Sequence, residues 1–172
     1  MTYIKRDLEP KILSLSKEYS AILITGPRQV GKTTILRQLM QKNRAYVTLD
    51  DLEDRAMAQN DPALFLQLHD RPILIDEVQY APQLFSYIKI EIDNGAEPGS
   101  FWLTGSQSFR MMELAQESLA GRVALLHMPS LSQHEIYGSG SNSPFSIDLN
   151  ALKETATTHA PADMQEIYQR IW

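Results

Sequence analysis

Apolar residues in this chain come in short runs separated by stretches of helical spacing. Five runs read as strands, at 21–25, 45–49, 72–75, 101–104 and 123–127. Ile22-Leu23-Ile24 and Ile73-Leu74-Ile75 are continuous rather than alternating, as strands buried on both faces must be. Between the runs, apolar positions recur at helical intervals over 32–42, 51–59 with 62–69, 82–93 and 108–119. Ahead of them Leu8, Ile12, Leu15 and Tyr19 share one face of a helix predicted over 7–19, with Pro10 tolerable in its first turn. Strands alternating with helices mean parallel βαβ units. The predicted fold is α/β: a three-layer architecture with a five-stranded parallel sheet and helices on both faces. No internal repeat is visible.

The pattern breaks after the fifth strand. "YGSGSNSP", from Tyr137 to Pro144, is rich in turn formers. The expected organisation is therefore a core over 1–136, a linker or loop over 137–150, and the start of a helical lid or second domain over 151–172. In that last segment Met164, Ile167, Tyr168, Ile171 and Trp172 fall on one helical face. Because the chain stops within that face, we expect it to be the N-terminal portion of a longer protein.

Composition narrows the function classes. There is no cysteine, which removes disulfides and thiolate metal sites. No stretch approaches the ~18 apolar residues of a membrane span, and the N-terminus has no apolar signal region. A soluble cytoplasmic protein without membrane partners is the expectation. The net charge of −5 argues against a whole-surface nucleic-acid binder. Its distribution is uneven: residues 1–49 hold nine Lys/Arg against three Asp/Glu, and residues 50–100 hold three against eleven. The basic block reads either as solvated surface or as a region that helps receive phosphate.

The chemistry concentrates at the ends of strands. Gly26-Pro27-Arg28-Gln29-Val30-Gly31-Lys32-Thr33 follows the first strand, opens a helix, and fits the GxxxxGK[ST] phosphate-loop (Walker A) pattern. Glycines let the backbone curl so that its N–H groups face an anion, and the helix adds its free N–H groups and positive dipole end. Lys32 is suited to the β- and γ-phosphates and Thr33 to Mg²⁺. The expected nucleotide contacts are Gly26 to Thr33, with Thr34 beyond.

The third strand runs into Asp76-Glu77 (Walker B). An aspartate at a strand tip beside a phosphate loop can hold Mg²⁺. Glu77, pointing elsewhere, can polarise a water for in-line attack. The same pair could be a solvated acidic turn. No Asn-Lys-x-Asp guanine-reading motif occurs, and the Asp-Glu pair favours ATP hydrolysis over transfer to a metabolite.

Thr104, Ser106 and Gln107 end the fourth strand, as candidate sensors of the attacking water or γ-phosphate, or as a helix N-cap through Ser106 or Ser108. Arg122, before the fifth strand, is the candidate arginine finger, acting on the transition state from the same or a neighbouring subunit. Arg28 and Arg110 are the other candidates. Asp50, Asp51, Asp54 and Arg55 read first as a capped helix start. His69, His127, His134 and His159 have no metal-ligand spacing and read as structural or surface residues.

With "GPRQVGKTT", "TLDD", "ILIDEVQ", "LTGSQ", "SLAGR" and "MPSLSQHEI" in that order, residues 3–135 resemble the bacterial and archaeal AAA-type ATPases that carry a C-terminal domain of unknown function. The resemblance implies strand order 5-1-4-3-2. It also implies ATP and Mg²⁺ on Lys32 and Thr33, a metal role for Asp76, a water role for Glu77, a sensor over Thr104 to Gln107, and a finger at Arg122. The family's C-terminal domain is absent beyond Trp172, and only Arg170 could stand for a lid arginine. The expected function is a Mg²⁺-dependent ATPase coupling ATP binding and hydrolysis to conformational change, as a homo-oligomer if an arginine acts in trans. The alternatives are an ATP-sensing binding module with negligible hydrolysis, or a small-molecule kinase.

Overall fold

The computed structural model describes residues 3–106, 117–137 and 147–150, and the single positions 113, 115, 153 and 165. Five strands, β1 (Ala21–Gly26), β2 (Ala45–Thr48), β3 (Ile73–Asp76), β4 (Phe101–Ser106) and β5 (Val123–His127), form one sheet in the order β2-β3-β4-β1-β5. Every pairing is parallel. This is the order 5-1-4-3-2 read from its other edge.

Helices α1 (Glu9–Leu15) and α2 (Lys32–Leu39) lie against one face of the sheet, and α3 (Leu52–Asn60), α4 (Pro62–Leu68) and α5 (Leu84–Asp93) against the other. Strand alternation divides the core accordingly. Ile22, Ile24, Leu74 and Trp102 pack with Ile12, Ile35 and Leu36, while Leu23, Ile75 and Leu103 pack with Phe65, Phe85 and Ile88. β1 is buried along its whole length, which explains its unbroken apolar run. α6 (Gln133–Tyr137) opens with a capping box, in which the Ser132 N–H donates to the Glu135 carboxylate at 2.8 Å and the Glu135 N–H to the Ser132 hydroxyl at 3.1 Å.

The N-terminal helix is shorter than the predicted 7–19. It ends at Leu15 because the next residues serve the sheet: the Tyr19 carbonyl accepts from the Gly99 N–H at 2.8 Å and the Ser20 carbonyl from the Phe101 N–H at 2.9 Å. α2 likewise ends at Leu39 rather than 42, and α5 starts at Leu84 after a 3₁₀ turn, Val78–Tyr80.

Behind the sheet, at the N-terminal ends of the strands, Arg44 lies 4.0 Å above the Trp102 ring and donates to the Gly99 carbonyl at 2.8 Å. Burial lowers its guanidinium pKa to about 10. Lys5–Ser130 form one compact unit, and Met1–Ile4 with Leu131–Trp172 are assigned to another. The predicted helical face over 164–172 lies outside the described residues. Among the described residues no helix is long and apolar enough to cross a membrane.

Candidate functional site

Parallel pairing puts the C-terminal tips of β1, β3 and β4 side by side. Gly26 is in register with Ser106, and Ile75 with Leu103. The loop after β1 therefore opens beside the carboxylates that end β3. Gly26 is required by space: a Cβ there would stand 2.3 Å from the Met128 carbonyl oxygen. Gly31, with φ of 93°, makes the left-handed turn that starts α2. Two non-glycine residues also take left-handed backbone, Gln29 in the loop (φ 63°) and Glu77 after β3 (φ 58°). Such conformations cost about 1–3 kcal/mol each and persist where the surroundings impose them.

Lys32 is 6% exposed, and its ammonium donates to the carbonyls of Pro27 at 2.7 Å and Gly26 at 3.1 Å, inside the curl of the loop. The next residue begins a second cluster. The Thr33 hydroxyl lies 2.8 and 2.9 Å from the two Asp76 carboxylate oxygens. Asp76 is 5% exposed and also accepts from the hydroxyls of Thr104 and, at 3.2 Å, Tyr46. Three hydroxyls from three different elements thus surround one buried carboxylate, which compensates for its removal from water. The Tyr46 phenol is pushed above its usual range, first by partial burial and then by the negative charge of Asp76 beside it. Arg37 lies 4.9 Å from the centroid of the same ring.

Glu77 is held from both ends. Its N–H donates to the Thr104 hydroxyl at 3.1 Å, and its carboxylate accepts from the side-chain amide of Gln79. The Gln79 carbonyl in turn accepts the Ser106 N–H at 3.1 Å. Together with Arg28, Gln29, Gly31, Lys32, Thr33, Thr34, Asp50 and Tyr80, Glu77 lines a cavity of about 460 Å³.

The fold therefore gathers Arg28, Gln29, Gly31, Lys32, Thr33, Thr34, Asp76, Glu77 and Thr104 at one edge of the sheet. It does not bring Arg122 there. That side chain stands at the start of β5, at the opposite ends of the strands, in an ion pair with Asp93 at 2.6 Å. Gln107, Ser108, Arg110 and Arg170 lie outside the described residues. Asp51 caps α3 through the N–H groups of Glu53 and Asp54, and Asp50 pairs with Arg55 at 3.8 Å, so this acidic stretch starts a helix. The basic N-terminal block does not form a single phosphate-receiving face. Arg28 and Lys32 line the cavity, Arg37 faces Tyr46, Arg44 lies behind the sheet, and Arg6 is a strut whose guanidinium donates to the carbonyls of Val30 and Pro129, both at 2.9 Å.

Arg6, Tyr46 and Gln79 are the members that sequence pattern misses. Only Gln79 left a signal, its place two residues past the Asp-Glu pair. His69 sets its ring against Phe65 and bonds the Phe65 carbonyl through Nδ1 at 2.7 Å, a structural role.

The profile of the AAA domain family matches residues 18–137. Two curated mycobacterial proteins, the uncharacterized proteins Rv2008c of Mycobacterium tuberculosis and Mb2031c of Mycobacterium bovis, are each 34% identical over 139 residues. The match takes in 80% of this chain, which spans only 31% of their length. Among solved structures, the PCH-2 protein of C. elegans superposes with a TM-score of 0.52 at 15% identity, covering 78% of this chain and 46% of that one. At that identity the likeness is one of fold. A P-loop on the first strand, a carboxylate pair on the third, the order β2-β3-β4-β1-β5 and a profile match over most of the chain lead to one conclusion: this chain belongs to the AAA domain family of P-loop nucleotide-binding proteins.

Proposed function

We propose that this chain is a Mg²⁺-dependent ATPase module that turns ATP binding and hydrolysis into conformational change. The observation that carries the reading is one convergence: Lys32, Thr33 and Glu77 line a single cavity, and Asp76 is bonded to Thr33 behind it. The donor chemistry supports Mg²⁺, since a hydroxyl and a carboxylate stand 2.8 Å apart and both offer hard oxygen. When bound, Mg²⁺ neutralises charge on the β- and γ-phosphates.

The remaining work falls to the chain's own groups. The loop from Gly26 to Thr34 cradles the phosphates through its N–H groups and the N-terminus of α2. Lys32, held by two loop carbonyls, keeps donor capacity for a phosphate oxygen. Glu77 orients the attacking water and takes its proton. Thr104 holds the Asp76 carboxylate and the Glu77 backbone N–H at once, with Ser106 and Gln107 completing the sensor. Arg122 acts in trans, from a second copy, after leaving Asp93. The mycobacterial relatives, of which this chain spans only 31%, extend well beyond the matched stretch, and a further domain of that kind would receive the mechanical output.

The test is Mg²⁺-dependent phosphate release from ATP over a range of protein concentrations. Lys32→Ala should lose nucleotide binding, whereas Glu77→Gln should keep binding and lose roughly 100-fold or more in turnover. Normal turnover by Glu77→Gln would overturn the mechanism. Tight binding without release by any form would instead make the module an ATP-sensing switch.

A further inference from the structure

Glu77 has one side-chain partner that the proposed mechanism does not use. Gln79 sits in the 3₁₀ turn just after β3, and its amide is spent in two directions. The NH₂ end donates to the Glu77 carboxylate, and the carbonyl end accepts the Ser106 N–H at 3.1 Å. An amide is the side chain suited to this, because it carries a donor and an acceptor on one rigid plane. A carboxylate in its place has no donor for Glu77, and a thioether has neither group.

The backbone around Gln79 is built to hold the amide there. Glu77 takes the left-handed conformation, φ 58° and ψ 43°, which turns the chain sharply off the strand. The Tyr80 N–H closes the turn on the Glu77 carbonyl at 3.1 Å. Tyr80 itself is pinned, with Arg55 lying 3.8 Å from its ring centroid and Gln59 donating to its carbonyl at 2.6 Å. β4 grips Glu77 twice: Thr104 accepts its N–H directly, and Ser106 anchors the amide that holds its carboxylate.

We propose that Gln79 is a positioning residue: its amide aims the Glu77 carboxylate at the cavity and ties that aim to the tip of β4. This rests on Glu77 being the water-activating base. Gln79 is not among the residues that line the cavity and acts only through Glu77. A displacement of the β4 tip would therefore redirect the base without any change in the phosphate loop.

The test combines a double-mutant cycle with a direct view of the contact. Gln79→Met keeps the length of the side chain and removes both hydrogen bonds. It should lower kcat roughly 10-fold, a fraction of the factor a general base supplies, with KM for ATP unchanged and at most a small fall in the unfolding midpoint. Gln79→Glu keeps the acceptor for Ser106 but replaces the donor with a second carboxylate that repels Glu77, and should lose kcat at least as much, which covers the case in which Gln79→Met fails to fold. In a Glu77→Gln background, Gln79→Met should change the residual single-turnover rate by less than about twofold, since residues acting as one unit are not additive. By NMR, the Gln79 side-chain amide should be shifted and protected from exchange in the unaltered protein, and should move to free-amide values in Glu77→Ala.

An additive loss in the cycle, unchanged or raised kcat in Gln79→Met, or a free-amide signal in the unaltered protein would each overturn the proposal. If Glu77→Gln turns over normally, the ATPase reading fails instead, and the amide spectrum still reports whether Gln79 holds Glu77.

Discussion

Thr33 and Asp76 are 43 positions apart in the sequence and 2.8 Å apart in the fold. One stands in the first turn of α2 and the other at the last position of β3, so the contact exists only when the helix after β1 and the tip of β3 are both in place. Thr33→Val keeps the shape of the side chain and removes the hydroxyl. We expect roughly 10-fold or more loss of nucleotide affinity in the presence of Mg²⁺ and little change in EDTA, read by calorimetric titration. Equal losses in both conditions would remove Thr33 from the metal site.

Gly26 gives a prediction about stability. The carbonyl of Met128 occupies the place a side chain would need, and the clash is with backbone, which cannot swing aside. Gly26→Ala should destabilise the protein by about 1–3 kcal/mol, the usual cost of overpacking, in equilibrium urea unfolding. A change below half a kcal/mol would mean that the chain after β5 moves away freely.

Tyr46 gives a prediction about pH. Its phenol titrates above the usual value in the folded protein, through partial burial and then the adjacent Asp76 charge. The unfolded phenol ionises near pH 10. The contribution of Tyr46 is therefore full below that pH and is lost as pH rises through the folded value. Unfolding free energies of the unaltered protein and Tyr46→Phe, compared from pH 8 to 11, should differ by a constant amount up to about pH 9 and then converge or cross. A difference that stays flat throughout would show that the phenol is not held against Asp76.

Arg122 separates roles in cis and in trans. Its pair with Asp93 is more than one-third exposed on both sides, so Arg122→Ala should change stability by less than about 1 kcal/mol. Phosphate release at dilutions that keep chains apart should be unaffected by Arg122→Ala. At concentrations where specific activity rises, the variant should fail to follow. Equal activity of both forms across the whole range would remove Arg122 from the reaction.

Much of this was legible in the residues. Apolar runs marked all five strands: those of β1 and β3 are continuous because these central strands are buried along their whole length, while the edge strands β2 and β5 are only partly buried. The phosphate loop followed from glycine, lysine and threonine spacing alone. Element ends were less legible, as at Tyr19 and Ser20, whose carbonyls are claimed by Gly99 and Phe101 some 80 positions away. The contacts that complete the site were not legible for the same reason. Nothing beside Tyr46 announces Asp76, and nothing beside Arg6 announces the Val30 carbonyl, because each pairing exists only after the sheet has ordered its strands. Arg122 shows the reverse case, a residue whose place in the pattern suggested the site and whose side chain is engaged elsewhere.

The strand order carries a consequence for the growing chain. β4 lies between β1 and β3 but is synthesised after both. Until Phe101 to Ser106 slide into that slot, the phosphate loop and Asp76 belong to two unjoined edges, and a gap about 10 Å wide, two strand spacings, would separate them. No shorter N-terminal piece can hold nucleotide with both halves of the site. A chain arrested on the ribosome before Phe101 has emerged should therefore ignore ATP, and one released past β5 should be stabilised by it through mass action. Nucleotide binding in this architecture reports that the middle strand has been stitched in.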